Sequence, residues 1–281
     1  MRRAKSLPNL LTLGNAFLGL LAISKGIDAL TANDPALFAQ HFESACWFVL
    51  GSLLLDALDG RVARMTGSFS DLGAQLDSFA DAITFGVAPG LLAKMLLEHH
   101  GLLHSRVNFF VAALYALMAV LRLARFNVEN DHDEEHHRSF SGLPSPAAAG
   151  VLVATMLMSL TITGSIEGGG TQPTLVGHAL AGIPEETRAT LATGLRYLTF
   201  LLLPTLGLLM VSRVPYTHAF SALMSARGRW ALVRLVVLLL VLYVAPVPTL
   251  FVLGWVYFGN GLLKAMRGRG ADQSGPAREA A

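Results

Sequence analysis

The sequence predicts an all-α, polytopic membrane protein: a bundle of about eight transmembrane helices. The prediction rests on three observations: 53% of the 281 residues are hydrophobic, only 14% are charged, and the apolar residues form long continuous runs. A helix needs about 20 apolar residues to cross the hydrocarbon core of a bilayer. In lipid, backbone polar groups must be satisfied within each segment, so these runs predict helices.

Eight apolar spans follow one another along the chain. The first opens with Pro8, which suits the first turn of a helix. The third is long and polar in its first half, and its Gly86, Pro89 and Gly90 indicate a kink or a close approach by another group. The last two are separated only by Ala245-Pro-Val-Pro248, which predicts a tight hairpin. The spans are centred on residues 10–26, 44–60, 73–97, 107–125, 145–164, 195–213, 230–244 and 246–264.

The eight spans belong to one predicted domain followed by a short tail. No polar linker long enough to separate two domains interrupts residues 1–268, so we expect a single membrane domain there. The segment 269–281 is polar and rich in small residues, and we expect it to be disordered. The net charge of +2 argues against a nucleic-acid partner.

The distribution of basic residues predicts the orientation of the bundle. Cytoplasmic loops are enriched in Lys and Arg. With the N-terminus in the cytoplasm, 16 of the 21 Lys and Arg residues fall on the cytoplasmic side and five on the other. Eight spans then place both termini in the cytoplasm. The five residues on the far side are Lys25, Lys94, Arg106, Arg188 and Arg196.

Five aspartates lie within a 26-residue stretch between apolar runs, and four of them follow helical spacings of three or four residues: Asp56, Asp59, Asp77 and Asp81. A carboxylate within a membrane helix costs roughly 2.5–3.5 kcal/mol on insertion scales, so four would cost about 10 kcal/mol. A cation must offset this cost. Residues three and four apart share one face of a helix, so two facing helices would aim all four carboxylates at one point.

Hard oxygen ligands in this number suit Mg²⁺ or Mn²⁺, which bind carboxylates, waters and substrate phosphates. Arg64 falls on the same helix face as Asp56 and offers a planar donor for a phosphate. The simpler alternative is a set of helix-end acids paired with Arg61 and Arg64 in a solvated loop. Two arginines are too few to neutralise all of these acids, and we therefore favour the metal site.

The aspartates are part of a longer pattern, D-x2-D-G-x2-A-R-x8-G-x3-D-x3-D, and this chain matches every specified position. The pattern resembles the signature of the CDP-alcohol phosphatidyltransferases, a family of membrane enzymes of phospholipid synthesis. The resemblance covers about the first 150 residues well and the rest only as a hydrophobic pattern. The matching residues are Asp56, Asp59, Gly60, Ala63, Arg64, Gly73, Asp77 and Asp81.

The resemblance implies a role for each matching residue and two divalent metal ions, Mg²⁺ or Mn²⁺. It implies that Asp56, Asp59 and Asp77 bind the metals. Asp81 would accept the proton of the attacking hydroxyl and share a metal. The remaining matches would bind CDP-diacylglycerol. Two residues of a Pro-Asn-x-x-Thr start, which packs beside the nucleotide site in similar proteins, would join them. Helix capping is the alternative role for these two residues. This predicted nucleotide set is Asn9, Thr12, Gly60, Ala63, Arg64 and Gly73.

Three further segments narrow the resemblance to the phosphatidylserine synthase branch of the family: 84–90, 122–127 and 142–149. This branch implies L-serine as the acceptor, with phosphatidylserine and CMP as products. The zwitterionic acceptor needs a cationic partner for its carboxylate and a polar one for its ammonium group. Membrane anchoring is the alternative reading for either arginine taken alone. The predicted acceptor-binding residues are Thr84, Arg122, Arg125 and Asn127.

Two other functions remain open at this stage. The same chemistry could use glycerol phosphate or inositol phosphate, whose extra phosphate would call for further basic residues. An ion-coupled transporter would also use intramembrane carboxylates, but it predicts an internal repeat, and residues 150–281 hold no second acidic cluster. The family resemblance further implies a homodimer. We expect the protein in the cell (inner) membrane, and the distribution of basic residues predicts that the active site faces the cytoplasm.

Overall fold

The computed structural model describes residues 7–66, 71–132, 142–164, 180, 182–212, 214 and 229–272. Every regular element among these residues is helical, which confirms the all-α prediction. A π-helical segment, Ala82–Val87, joins two of the α-helices. The α-helices are α1 (Leu7–Thr31), α2 (Pro35–Thr66), α3 (Asp71–Asp81), α4 (Ala88–His99), α5 (Ser105–His132), α6 (Ser145–Thr163), α7 (Glu185–Val211), α8 (Arg229–Val244) and α9 (Pro246–Asp272).

Because α3, the π-segment and α4 run on without a break, the described residues form eight helical rods, one for each predicted span. Six of these rods are long and apolar enough to cross a membrane. The rod formed by α2 has 32 residues, but its acidic and basic side chains interrupt the apolar run. The apolar part of α8, Val233–Val244, is short. The protein is therefore an integral membrane protein with six clear spans, and the side on which its termini lie stays a prediction.

The helix α6 lies at the centre of the bundle and packs against α2, α4, α7 and α9. Its side chains are buried on nearly every face, as expected for a helix that is hydrophobic all round. Val151, Leu152, Met156, Leu157 and Leu160 each expose 1% or less of their surface. On the other side of the molecule α1 packs along α2 and also contacts α3 and α4. This arrangement places the N-terminal half of α1 beside the aspartate-bearing helices.

The π-segment follows directly after Asp81 and continues the rod into α4. Its wider turns form i→i+5 hydrogen bonds, as between the amide of Ala88 and the carbonyl of Ile83. The buried Tyr115 hydroxyl of α5 donates to the carbonyl oxygen of Phe85 at 3.0 Å, which gives this carbonyl a second helix as partner. Single π-turns inside α-helices occur frequently at functional sites. The predicted disturbance near Gly86 is therefore a π-helix. The predicted close approach is confirmed, because a Cβ on Gly86 would lie 3.1 Å from Ala119 of α5 and a Cβ on Gly90 would lie 3.0 Å from the Ala112 oxygen.

The turn before α6 holds the start of that helix against the end of α7. Gly142 has φ +99°, and an added Cβ there would lie 2.6 Å from the carbonyl oxygen of Met210, so glycine is required. The Gly142 amide donates to the Val214 oxygen at 2.8 Å, and the Leu143 amide donates to the Leu209 oxygen at 3.0 Å. At the other end of the chain α9 continues to Asp272, and the rest of the predicted tail, 273–281, lies outside the described residues.

Candidate active site

Three of the four aspartates converge at one end of the bundle. Asp56 and Asp59 come from the last third of α2, and Asp77 comes from α3. Each offers a carboxylate oxygen, and the three oxygens lie within 4.8 Å of one another. Asp59 is buried, and the other two are half-buried. The i, i+3 spacing on α2 thus presents a pair of carboxylates to a single residue of α3, whereas the fourth aspartate of the predicted convergence does not join the three.

Two polar side chains of α1 hold the aspartates in place. The Thr12 hydroxyl lies 3.1 Å from Asp59 Oδ2 and also 3.1 Å from the carbonyl oxygen of Pro8. One turn further on, the Asn15 amide donates from Nδ2 to Asp81 Oδ1 at 3.3 Å. Both α1 side chains are buried. Thr12, which we predicted to bind the nucleotide, therefore contacts a carboxylate of the cluster directly.

Asp81 lies beside the three-carboxylate group rather than within it. It is buried, with 8% of its surface exposed, and the bond from Asn15 fixes one of its oxygens. Asn15 is absent from the predicted site residues, although it falls three residues after Thr12 on the same face of α1. This i, i+3 repetition of small polar residues in an apolar helix is the signal that could have identified it.

No basic side chain neutralises the cluster from within the described part of the chain. Arg61 and Arg64 are exposed, and the two ion pairs found among the described residues, Lys25–Asp28 and Lys94–Glu98, lie elsewhere. The alternative of helix-end acids paired with the neighbouring arginines is therefore not what the structure shows. Three clustered carboxylates without a counterion form a site that could hold a cation.

The donor set fits a hard divalent cation. It consists of carboxylate oxygens alone, and Mg²⁺ and Mn²⁺ prefer such ligands to the nitrogen or sulfur ligands of zinc sites. The Thr12 hydroxyl beside Asp59 is the kind of outer partner that orients a ligating carboxylate. Asp56, Asp59 and Asp77 would accordingly hold the metal.

The predicted nucleotide-binding residues differ in how far they are exposed. A Cβ built on Gly60 would have no atom within 4 Å, so the space beside α2 at the carboxylates is open. Arg64 is exposed one turn further along α2, and Asn9 is half-buried at the start of α1. Gly73 is half-buried on α3. Ala63 lies on α2 between Gly60 and Arg64, but its side chain is outside the described part of the structure.

The predicted acceptor-binding residues separate into two groups. Arg122, at the aspartate end of α5, donates to the Ser145 hydroxyl at 2.9 Å and lies close enough to Asp81 for an electrostatic interaction. Arg125 follows one turn later and is half-buried. Asn127 exchanges hydrogen bonds with Ser78 of α3 at 2.9 and 3.2 Å. Of these residues, Arg122 and Asn127 have contacts beside the aspartates, with Asp81 and with Ser78 of α3 respectively.

Thr84 stands apart from that group. Its side chain is fully buried, and its hydroxyl donates to the carbonyl oxygen of Asn15 at 3.2 Å. A Cβ on Gly19 would lie only 2.5 Å from this hydroxyl, so α1 and the π-segment touch here. The structure therefore places Thr84 in a helix–helix contact behind Asp81 and Asn15, without an exposed surface.

A membrane helix bundle with three carboxylates converging at one end defines an integral membrane protein whose site could hold a divalent cation. Residues 5–183, more than half of the chain, match the model of the CDP-alcohol phosphatidyltransferase family. The chain belongs to this family, as the aspartate pattern predicted.

Several characterised proteins are similar to this chain. The CDP-diacylglycerol–serine O-phosphatidyltransferase of Helicobacter pylori (strain 26695) is 32% identical over 260 residues, which is 92% of this chain and 90% of that protein. The enzyme of the same name from Bacillus subtilis is 35% identical over 147 residues, 52% of this chain and 73% of its own. The archaetidylserine synthase of Methanothermobacter thermautotrophicus is 36% identical over 146 residues, 51% of this chain and 54% of its own.

The open space at Gly60 leads to a prediction that separates folding from binding. Gly60→Ala should leave the thermal stability unchanged or raise it slightly, because nothing in the protein meets the added methyl group and alanine favours helix by about 1 kcal/mol. If CDP-diacylglycerol approaches the helix at this point, its KM should rise by tenfold or more, which corresponds to a loss of about 1.4 kcal/mol of binding free energy.

Gly194→Ala on α7 is the matched control, since its Cβ would also meet nothing within 4 Å and it lies far from the aspartates in the chain. We expect this variant to gain the same small stability and to keep the wild-type KM. Steady-state kinetics with varied CDP-diacylglycerol, together with melting curves, measure both effects. An unchanged KM in Gly60→Ala would show that the substrate does not approach α2 at this glycine.

Proposed function

We propose that this protein transfers the phosphatidyl group of CDP-diacylglycerol to the hydroxyl of L-serine and so forms phosphatidylserine and CMP. The observation that carries the chemistry is the convergence of Asp56, Asp59 and Asp77, with Asp81 fixed beside them. Serine as the acceptor is supported by the H. pylori relative, which is similar over nearly the whole length of both chains. The half-buried Arg122 near Asp81 supports the same acceptor.

The reaction forms a bond between the serine hydroxyl oxygen and the phosphorus that bears the diacylglycerol, and it breaks the bond from that phosphorus to CMP. Asp81 accepts the hydroxyl proton, and its bond from Asn15 holds it in position. Divalent ions held by Asp56, Asp59 and Asp77, two in our proposal, would neutralise charge on the phosphate oxygens. A lone carboxylate is a weak base for an alcohol, so proximity must supply much of the rate enhancement.

The substrates also suit the position of the site in the membrane. CDP-diacylglycerol has acyl chains that can stay in the bilayer while its charged head reaches the carboxylates at the end of α2. In our proposal this end faces the cytoplasm, because most of the basic residues belong to that side. We further propose that the protein works as a homodimer in the cell (inner) membrane.

The direct test is CMP release by the purified protein from CDP-diacylglycerol, with and without serine. We expect release to depend on serine and on Mg²⁺ or Mn²⁺, and to stop in excess EDTA. Glycerol phosphate and inositol phosphate, supplied in place of serine, should give little product. Full activity in EDTA would refute the metal site, whereas a preference for a phosphorylated acceptor would refute only the choice of serine.

The acceptor site leads to a second test, on Arg122. Loss of a charge-assisted hydrogen bond to a buried carboxylate costs roughly 1.5–3 kcal/mol, or about one to two decades in affinity. Arg122→Ala should therefore raise the KM for serine by about 10–100-fold. The KM for CDP-diacylglycerol should change much less, since its phosphates are bound by other groups.

Arg125→Ala provides the comparison, because Arg125 lies one turn after Arg122 on the same helix. We expect a smaller rise in the serine KM for this variant. Initial rates at varied serine and saturating CDP-diacylglycerol separate the two. If neither variant changes the serine KM, the carboxylate binds elsewhere, and both arginines serve to anchor α5 at the membrane surface.

A further inference from the structure

A second group of polar side chains lies at the opposite end of the bundle from the aspartates. The 18 residues from Asp81 to His99 rise about 27 Å at 1.5 Å per residue, close to the thickness of a bilayer core. His99 and His100 therefore end the rod at the other membrane surface. The His99 ring stacks on Phe38 of α2 with ring centroids 3.5 Å apart, and it meets the His100 ring edge-on at 4.9 Å.

Arg196 of α7 lies beside these two imidazoles, within range of an electrostatic interaction with both. The Arg196 Nε and the His100 Nε2 are buried, and neither has a hydrogen-bond partner. The same holds for the Nε of Arg188, two turns earlier on α7. Buried polar atoms without hydrogen-bond partners are rare in folded proteins.

The other basic residues of this side differ in this respect. Lys25 pairs with Asp28 at 2.8 Å, Lys94 pairs with Glu98 at 2.6 Å, and Arg106 is exposed. Neither Arg188 nor Arg196 takes part in an ion pair with any residue that the structure describes. Two half-buried guanidinium groups on one helix are therefore left without a counter-charge.

The local excess of positive charge also affects the neighbouring histidine. Burial lowers the pKa of His100 to about 4, and Arg196 and His99 contribute to the lowering. The imidazole is thus neutral at physiological pH, because the surroundings do not accommodate another positive charge. An anion placed between the ring and the guanidinium would accept hydrogen bonds from the guanidinium and from the ring in its Nε2–H tautomer, and it would supply the missing negative charge.

We propose that Arg196 and His100 bind the phosphate group of an anionic phospholipid in the leaflet opposite the aspartates. A guanidinium presents a planar set of donors that matches phosphate geometry. On the neighbouring face of α7, and deeper along the helix, the surface is apolar and exposed: Tyr197, Leu201 and Leu208 expose 50%, 58% and 61% of their surface. A lipid with its phosphate at Arg196 can lay an acyl chain along this face, which a free phosphate ion cannot use.

The test uses the full chain in a nonionic detergent that contains no phosphate, with its melting temperature as the readout. Phosphatidylglycerol should raise the melting temperature by about 5 °C or more when present well above its Kd, and phosphatidylcholine should raise it less. Arg196→Gln should lose this gain. Without anionic lipid it should be at least as stable as the unmodified protein, because it removes an unpaired charge.

Arg106→Gln is the matched control, since it removes the same charge from an exposed position at the same end. It should keep the full response to phosphatidylglycerol. Inorganic phosphate without lipid is tested separately. A rise in melting temperature that depends on Arg196 would support the anion site and identify a soluble ion as its ligand. Serine-dependent CMP release should persist in Arg196→Gln, so this test is independent of the proposed enzymatic reaction.

An equal gain from phosphatidylglycerol in Arg196→Gln and in the unmodified protein would overturn the proposal. So would a lower stability of Arg196→Gln in the absence of any anion, because the arginine would then be satisfied within the protein. If this variant does not fold, His100→Leu decides the question, since it removes the second donor. It must also lose the gain, and an unchanged response would rule out the site.

Discussion

Asp77→Asn is expected to remove turnover almost completely and, at the same time, to stabilise the metal-free protein. Asp77 is the one carboxylate that α3 contributes to the three-carboxylate group. Loss of an outer-shell partner of a metal ligand typically costs 10–100-fold, and loss of the ligand itself should exceed the upper end of that range. Without metal, the substitution removes the repulsion between like charges and should raise the melting temperature.

Two measurements follow from this expectation. Mg²⁺ or Mn²⁺ should raise the melting temperature of the unmodified protein, and Asp77→Asn should lose most of that gain. Asp34→Asn is the control, because it makes the same chemical change at an exposed position before α2, where asparagine caps a helix as well as aspartate does. If Asp77→Asn retains both turnover and the metal response, the cluster does not hold the catalytic ion.

Asp81→Asn has the second large expected effect, which should fall on turnover and not on metal binding. General-base assistance is typically worth 10²–10⁴-fold, so kcat should fall by about that factor. Because Asp81 lies outside the three-carboxylate group, the response of the melting temperature to metal should persist. The binding of CDP-diacylglycerol should also be largely retained. The buried asparagine can still hydrogen-bond with Asn15, which keeps the structural contact.

Direct binding of CDP-diacylglycerol in the presence of metal, together with single-turnover CMP release, distinguishes the two aspartates. We expect binding to be lost with Asp77→Asn and kept with Asp81→Asn, while both lose turnover. If Asp81→Asn loses nucleotide and metal binding to the same extent as Asp77→Asn, Asp81 is a further metal ligand, and the hydroxyl proton goes to another acceptor.

The relation between sequence and structure differs from helix to helix. The eight apolar spans correspond to the eight helical rods, because hydrophobic run length is a local property. The ends of the helices are less predictable, because the apolar signal stops at polar residues while the helix continues through them. α2 shows this: its apolar run ends at Leu55 and the predicted span at residue 60, yet the helix continues to Thr66, and the turns after Leu55 carry Asp56 and Asp59.

Other features depend on contacts that no spacing rule contains. Thr12 and Asn15 were recognisable as polar residues on one face of α1, but only the packing of α1 against α2 and α3 brings them to Asp59 and Asp81. The same packing buries Thr84 in a helix contact, although its position one turn after Asp81 had suggested an acceptor site. The uncompensated Arg196 likewise becomes visible only when its neighbours are known.

The sequence by itself determined the helical membrane class, the family, and the aspartates with their i, i+3 and i, i+4 spacing, because each depends on residue type and on periodicity within one helix. Tertiary structure alone decided that three carboxylates converge while Asp81 lies beside them, held by α1. The distance between side chains on different helices depends on how the helices pack and on the π-segment after Asp81, and neither is encoded in the spacing of a single helix.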